Sequence, residues 1–193
     1  MSKVILSFLI SFFSSSGAFF LSLLRSNPQP APAECLVVIT GCDSGFGQST
    51  SRLLSEKGYK VIACCLTEEG CTKNDFAYKQ IKCDVTKPED ILKVVKAVDS
   101  SPLKLWALVN NAGIAPIGFI DWLPIDSFRA AMEVNYFGLV QMTKSMLPFL
   151  KANKGSRVIN ISSMAGLIAN EGFGPYAASK HAVEGFSKSL RVN

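Results

Sequence analysis

The chain has 193 residues, of which 48% are hydrophobic and 18% charged, and a formal net charge of +5. One domain with a sizeable core is expected at that length, and the apolar content excludes a disordered chain. Lysine and arginine are scattered, with no basic run interleaved with aromatics, which excludes a nucleic-acid-binding surface.

The first element is the apolar run at residues 4–24, which carries no charge. About 20 such residues span the hydrocarbon core of a bilayer, so residues 1–25 are expected to be a transmembrane helix acting as a signal anchor. Lys3 and Arg25 flank it almost symmetrically and select no orientation. Residues 26–34, with prolines at 28, 30 and 32, read as a stiff extended linker. The rival reading is a cleaved signal peptide using Ala31-Pro32-Ala33 as its small-residue site.

Residues 35–193 form the expected globular domain. Residues 35–40 (CLVVIT) are a short β-branched run suited to a strand buried on both faces. The turn Gly41-Cys42-Asp43-Ser44-Gly45-Phe46-Gly47 follows at once, and residues 48–57 read as a helix stopped by Gly58. Strand, Gly-rich turn and helix are the context of a dinucleotide site. Glycines let the backbone approach a pyrophosphate, and the helix N-terminus supplies N–H donors. An ordinary Gly-rich turn is the plainer alternative.

Residues 59–66 read as the second strand. It leads to Glu68-Glu69 with no arginine nearby, which favours NAD over NADP because carboxylates repel the extra phosphate. Residues 80–85 read as a third strand ending at Asp84-Val85, where the Asp can accept from an adenine amino group or cap a loop. Residues 88–98 are a helix with Pro88 in its first turn. A fourth strand at 105–109 enters the tight turn Asn110-Asn111-Ala112-Gly113. Residues 127–150 read as one long helix, bent before Pro148. Asn135 sits inside it with Gly138 three residues on, a pairing poor for helix stability that signals a special role. A fifth strand at 157–161 delivers Ser162 and Ser163. Alternating strands and helices of this kind imply an α/β, Rossmann-like, doubly wound parallel sheet.

Pro175-Tyr176-Ala177-Ala178-Ser179-Lys180 then places a phenol and an ammonium one helical turn apart. An ammonium beside a phenol favours the phenolate, which can exchange a proton with an alcohol or carbonyl. The spacing alone is weak, because Tyr78 and Lys82 repeat it in a stretch that reads as a strand entry. The six cysteines form no C-x-x-C pair, and with one histidine in the chain no metal site is expected. They read as small buried thiols.

Taken in order, Thr40-Gly41-x-x-x-Gly45-x-Gly47, Asp84-Val85, Asn110-Asn111-Ala112-Gly113, Asn135, Ser163 and Tyr176-x-x-x-Lys180 closely resemble the motifs of the short-chain dehydrogenase/reductase family. Finer wording, such as Asp121-Trp122-Leu123 and the run from Ser179 to Phe186, looks like the membrane-anchored retinol and hydroxysteroid dehydrogenases. The resemblance implies an NAD-dependent oxidoreductase interconverting a lipophilic alcohol, retinoid or steroid, and its carbonyl at the endoplasmic reticulum membrane. It implies Tyr176 as acid/base, Lys180 as the residue that lowers the pKa of Tyr176 and holds the nicotinamide ribose, and Ser163 as the group orienting the substrate oxygen. Asn135 would hold a water that links Lys180 to solvent. Thr40, Gly41, Ser44, Gly45, Phe46 and Gly47 would bind the pyrophosphate side of the cofactor, Asp84 and Val85 would flank the adenine, and Asn111, Ala112 and Gly113 would line the cofactor cleft. The loop at 164–173 would border the substrate, and His181 would face elsewhere. The family commonly forms homodimers through its long helices.

The same resemblance sets expectations for the C-terminus. The family fold continues with two further strands, a substrate-covering helix and a Pro-Gly turn, so the sheet is expected to be incomplete there, with the fifth strand as an exposed apolar edge. The rival function is a truncated, non-catalytic, membrane-anchored isoform that binds a nucleotide or a partner subunit.

Overall fold

A computed structural model describes residues 5–8 and 30–190 of the chain. Its strands are β1 (Ile5–Phe8), β2 (Cys35–Thr40), β3 (Lys60–Cys65), β4 (Lys79–Lys82), β5 (Lys104–Asn110) and β6 (Arg157–Ile161). The helices are α1 (Gly45–Glu56), α2 (Glu68–Thr72), α3 (Pro88–Asp99), α4 (Ile125–Met132), α5 (Leu139–Lys151) and α6 (Gly174–Leu190), with a π-helical segment, Glu133–Gly138, joining α4 to α5.

All pairings are parallel, in the order β1-β6-β5-β2-β3-β4. Parallel strands need crossovers, and the crossovers put helices on the faces. Successive residues of β2 therefore both bury their side chains. Leu36 and Val38 enter one cluster with Ile91 and Val94 of α3 and Met142 and Met146 of α5, whereas Val37 and Ile39 enter the opposite cluster with Leu54 of α1. This is the expected doubly wound sheet. From β2 the chain adds β3 and β4 on one side, then returns to place β5 on the other. The strand order reverses between β2 and β5, and the crevice beyond their carboxyl ends is where open α/β sheets bind ligands.

Five boundaries differ from the sequence expectations. The helix expected at 48–57 starts at Gly45, which brings its N-terminus into the glycine turn. The strand expected at 80–85 ends at Lys82, and Asp84 instead folds back to accept from the Thr86 N–H and hydroxyl at 3.0 and 2.7 Å. A short helix, α2, follows β3, capped by the Thr67 hydroxyl. The single helix expected at 127–150 is two helices around the π segment, and α5 continues through Pro148.

The N-terminus supplies the fifth difference. Ile5–Phe8, inside the run expected as a membrane helix, is extended and pairs with Val158–Ile161, so β6 is not the bare edge expected of it. Residues 9–24, the rest of that run, lie outside the described residues. Among the described residues no helix is long and apolar enough to cross a membrane. The linker ends in a single 3-10 turn, Pro32–Glu34, closed by Glu34 N–H to the Ala31 carbonyl.

The six cysteines are free thiols, five buried and Cys71 half-buried. Burial raises the Cys35 thiol to about 11 and the Cys65 thiol to about 12.

Candidate active site

The crevice between β2 and β5 is closed at its base by side-chain hydrogen bonds across the switch point. The Thr40 hydroxyl accepts from the Asn111 and Ala112 N–H groups at 3.0 Å each. The Asn111 amide returns bonds to the carbonyls of Thr40 and Gly41 at 2.9 and 3.0 Å. Thr40 and Asn111 thus act as a clasp, and the residues they hold form the wall of the cleft.

Two glycines carry the turn for different reasons. Gly47 is buried, and a Cβ there would meet the Gly41 carbonyl oxygen and the Asn111 amide. Gly45 has φ +57 with open space beside it, so its requirement is the left-handed backbone. No side chain caps the N-terminus of α1, and its N-cap residue, Ser44, lines the crevice. Asp43 braces the turn from below. Its carboxylate accepts from Leu66 N–H, Thr67 N–H and the Thr67 hydroxyl at 2.7, 2.9 and 2.7 Å. Burial alone would raise this carboxyl, but the Leu66 and Thr67 donors outweigh it and hold the group below the ordinary value.

The crevice encloses about 600 Å³ and is lined by Gly41, Ser44, Asp84, Val85, Ala112 and Gly113, with Asp43, Glu69 and Lys73 at one end. A second cleft of about 460 Å³ holds Phe46, Ser163, Met164, Phe173, Tyr176 and Lys180. Asn111, Gly113 and Ile114 line both, so the two clefts adjoin.

Lys180 is buried at 4% exposure. Its ammonium donates to the Ile161 carbonyl at 2.8 Å and lies 5.6 Å from the centroid of the Tyr176 ring. Burial pushes its pKa down to about 8. Ser163 follows the end of β6 and caps the turn Met164–Gly166, its hydroxyl accepting from Ala165 N–H at 3.2 Å. Accepting leaves the hydroxyl's own proton free to donate.

Asn135 lies in the π segment. Its side-chain carbonyl accepts from Ile114 N–H at 2.8 Å, and its amide donates to the Ile114 carbonyl at 2.9 Å and to the Ser179 hydroxyl at 2.8 Å. The Ser179 hydroxyl in turn donates to the Tyr176 carbonyl at 2.7 Å. The mid-helix Asn thus ties the loop after β5 to the first turn of α6. Gly138 permits the same segment to approach Val85, whose side chain a Cβ at 138 would strike.

Of the sequence-predicted residues, Gly41, Ser44, Phe46, Asp84, Val85, Asn111, Ala112, Gly113, Ser163, Tyr176 and Lys180 line the two clefts, whereas Thr40, Gly45, Gly47 and Asn135 do not: Thr40 and Gly47 contact Asn111 behind the wall, and Asn135 lies beside Gly113. Tyr78 and Lys82 lie on the outer strand side, where Lys82 pairs with Glu68 at 3.2 Å. His181 is exposed and meets the Ala177 carbonyl at 2.9 Å. Sequence reasoning missed Asp43, Ser179 and Lys73. An acid within a Gly-rich turn was the available signal for Asp43. Ser179 and Lys73 carried none, because their partners come from elsewhere in the chain or from a helix too short to read.

The crevice at the switch point of a Rossmann-like sheet is where such folds bind ligands, and comparison with known proteins supplies the family. The family model for short chain dehydrogenases matches residues 35–193, and the chain belongs to that family. It is 44% identical over 162 residues to human dehydrogenase/reductase SDR family member 9, covering 80% of this chain and 50% of that protein. It is 42% identical over 161 residues to mouse retinol dehydrogenase 7, again covering 80% and 50%. Among solved structures, a short chain dehydrogenase/reductase from Burkholderia phymatum in complex with NAD superposes with a TM-score of 0.78 at 25% identity, covering 84% of this chain and 60% of that one. The chain spans about half the length of these curated relatives.

The residues present fit a nicotinamide dinucleotide. The uncapped α1 N-terminus and the space beside Gly45 suit a pyrophosphate. Asp84 lines the crevice, with Thr86 on one of its carboxylate oxygens and the Lys87 ammonium 4.0 Å from the other. At the far end Glu69 pairs with Lys73 at 2.6 Å, so one ammonium stands among the carboxylates of Asp43 and Glu69.

Proposed function

We propose that this chain carries the catalytic half-site of an NAD-dependent dehydrogenase that interconverts a lipophilic alcohol, a retinoid before a steroid, and its carbonyl. The observation that carries the reading is the convergence of Tyr176, Lys180 and Ser163 on a cleft that adjoins the dinucleotide crevice. A nicotinamide cofactor, when bound, supplies the hydride acceptor or donor.

The chain's own residues do the rest. Asn111, Ala112, Gly113 and the turn from Gly41 to Gly47 hold the cofactor, and Asp84 with Val85 flanks its adenine. Tyr176 takes the alcohol proton in oxidation and returns it in reduction. Ser163 donates its free hydroxyl proton to the substrate oxygen and fixes its position. The Lys180 ammonium stabilises negative charge developing on the Tyr176 oxygen, and with a pKa near 8 it can give up and regain a proton close to neutral pH. Asn135 holds Ile114 and, through Ser179, the turn bearing Tyr176. Two carboxylates against one ammonium at the far end of the crevice support NAD over NADP. The apolar residues Ile114, Met164 and Phe173 beside Tyr176 support a lipophilic substrate, as does the similarity to a retinol dehydrogenase. The uncharged run at 4–24 supports membrane association, at the endoplasmic reticulum in this reading.

The test is turnover by the full chain in detergent micelles, with NAD or NADP and with all-trans retinol, a 3α-hydroxysteroid or a short hydroxy acid. The account expects NADH formation with a lipophilic alcohol. Preference for the hydroxy acid removes the substrate reading. Dinucleotide binding without turnover of any alcohol supports the non-catalytic isoform instead.

A further inference from the structure

Two of the six cysteines meet at the wall of the crevice. Cys64 and Cys83 stand on the same face of neighbouring parallel strands. Cys64 pairs with Ile81, and two residues on, past the end of β4, Cys83 N–H donates to the Cys65 carbonyl at 2.7 Å. Side chains two residues apart on an extended chain share a face, and both thiols enter the cluster that contains Ile91 and Val94 of α3. There the two thiols are hydrogen-bonded to each other. Cys64 is wholly enclosed, whereas Cys83 lines the crevice next to Asp84 and Val85. The bond from Cys64 holds the Cys83 thiol below its ordinary value despite burial. The other four cysteines lack this combination. The Cys35 and Cys42 thiols donate to the carbonyls of Ala31 and Ile39 at 3.5 and 3.3 Å. Cys65 and Cys71 also meet, but burial raises both thiols.

We propose that Cys64 and Cys83 are a redox-active dithiol, oxidised by a hydroperoxide that enters the crevice, and that their disulfide weakens dinucleotide binding. The modification itself does not depend on the function proposed above, while its effect on the dinucleotide does. A redox-sensing cysteine is a partly ionised thiol that solvent can reach, with a resolving thiol beside it. Cys83 is the first and Cys64 the second. The Cys83 sulfur attacks the O–O bond, becomes a sulfenic acid and releases the remaining oxygen as an alcohol, or as water from hydrogen peroxide. The Cys64 sulfur then displaces the sulfenic hydroxyl, which leaves as water with the Cys64 proton. Two thiols lose two electrons, and one hydroperoxide gains them. The new bond draws Cys83 towards Cys64, and the chain beyond it has no slack to absorb the shift. Asp84 N–H is held by the Asp90 carboxylate at 3.0 Å, and Val85 lies against Gly138. The displacement therefore reaches the two residues assigned to the adenine. Conversely, a bound adenine covers Cys83 and slows its oxidation.

The test uses the full reduced chain in detergent micelles, treated with hydrogen peroxide with and without saturating NAD. Remaining thiols are then blocked, and unreduced peptides are mapped by mass spectrometry, with fragmentation locating each bridged sulfur. The proposal expects two of the six thiols to be lost first, as a bridge between Cys64 and Cys83 that dithiothreitol reverses and NAD retards. NAD is expected to bind the oxidised chain at least about 10-fold more weakly than the reduced one, a coupling of ordinary size. A Cys64→Ala variant is expected to stop at the Cys83 sulfenic acid, trapped with dimedone; if that variant does not fold, the map of the natural chain decides alone. Six intact thiols at a peroxide dose that already oxidises the exposed Met164 overturn the proposal. So does a bridge between Cys65 and Cys71 in place of the expected one, or equal NAD affinity of the two forms. A chain that forms the bridge but binds NAD in neither form refutes the cofactor reading and leaves the dithiol standing.

Discussion

Asn135 and Ser179, 44 positions apart in the chain, are joined by a hydrogen bond of 2.8 Å from the Asn135 amide to the Ser179 hydroxyl. Through it the π segment holds the turn of α6 that carries Tyr176. Replacing Asn135 by Ala leaves the Ile114 N–H and carbonyl without their partner and frees Ser179. A stability loss of about 1–3 kcal/mol, read as a lower urea midpoint, is expected, because the Ser179 hydroxyl is buried while the Ile114 groups are partly solvated. Ser179→Ala, which removes one acceptor and one donor, is expected to cost about 1 kcal/mol. On the proposed function, Asn135→Ala also lowers kcat/KM about 100-fold, the effect of a misplaced reacting group.

The two glycines of the turn give opposite outcomes on the same substitution. Gly47→Ala drives a methyl against the Gly41 carbonyl and the Asn111 amide, neither of which can yield without opening the clasp. It is expected to cost about 3 kcal/mol and to abolish dinucleotide binding measured by calorimetry. Gly45→Ala meets open space and costs only the left-handed backbone strain, about 1 kcal/mol.

Lys180 makes stability depend on pH in a predictable direction. Its folded pKa, about 8, lies below its ordinary 10.5 because burial disfavours the ammonium. Between these values the unfolded chain holds the proton that the folded chain has released, so stability rises with pH across that window. Below pH 8 both states are charged and the burial cost is fully present. A Lys180→Met variant lacks the cost, so its stability relative to the natural chain is greatest below pH 8 and shrinks by roughly 3 kcal/mol towards pH 10.5. Denaturant titrations of both proteins across that range measure the difference.

Asp43 carries the reverse dependence. Its lowered carboxyl contributes stability at neutral pH that is lost only as pH falls through its folded value, below the ordinary 3.8. Asp43→Asn turns an amide towards the N–H groups of Leu66 or Thr67, where a donor meets a donor. A loss of about 2 kcal/mol at pH 7 is expected, narrowing in acid. Paired unfolding curves at pH 7 and pH 3 check it.

Which parts of this architecture were legible in sequence follows from where their causes lie. The tight turn expected at 110–113 is instead the end of β5 followed by irregular chain, whereas the β2 run was readable because its cause is local, a strand buried on both faces. The π segment was not, because Asn135 is held by Ile114 and Ser179, and nothing in a window of residues 127–150 contains those partners. Asp43 was passed over for the same reason, its donors belonging to the end of the next strand. At the N-terminus the difference is confined to four residues: Ile5–Phe8 is extended and pairs with Val158–Ile161, a partner that lies about 150 positions away and that no local window contains. Tyr176 and Tyr78 share a motif; the neighbouring sequence separates them, and the fold does so again by placing Tyr176 in α6 and Tyr78 just before β4.

That separation permits the most direct test. With NAD and all-trans retinol in micelles, the natural chain, Tyr176→Phe and Tyr78→Phe are compared for NADH formation, with dinucleotide binding measured alongside. The account predicts turnover by the natural chain, none above background for Tyr176→Phe despite retained binding, and little change for Tyr78→Phe. Undiminished turnover by Tyr176→Phe would contradict it.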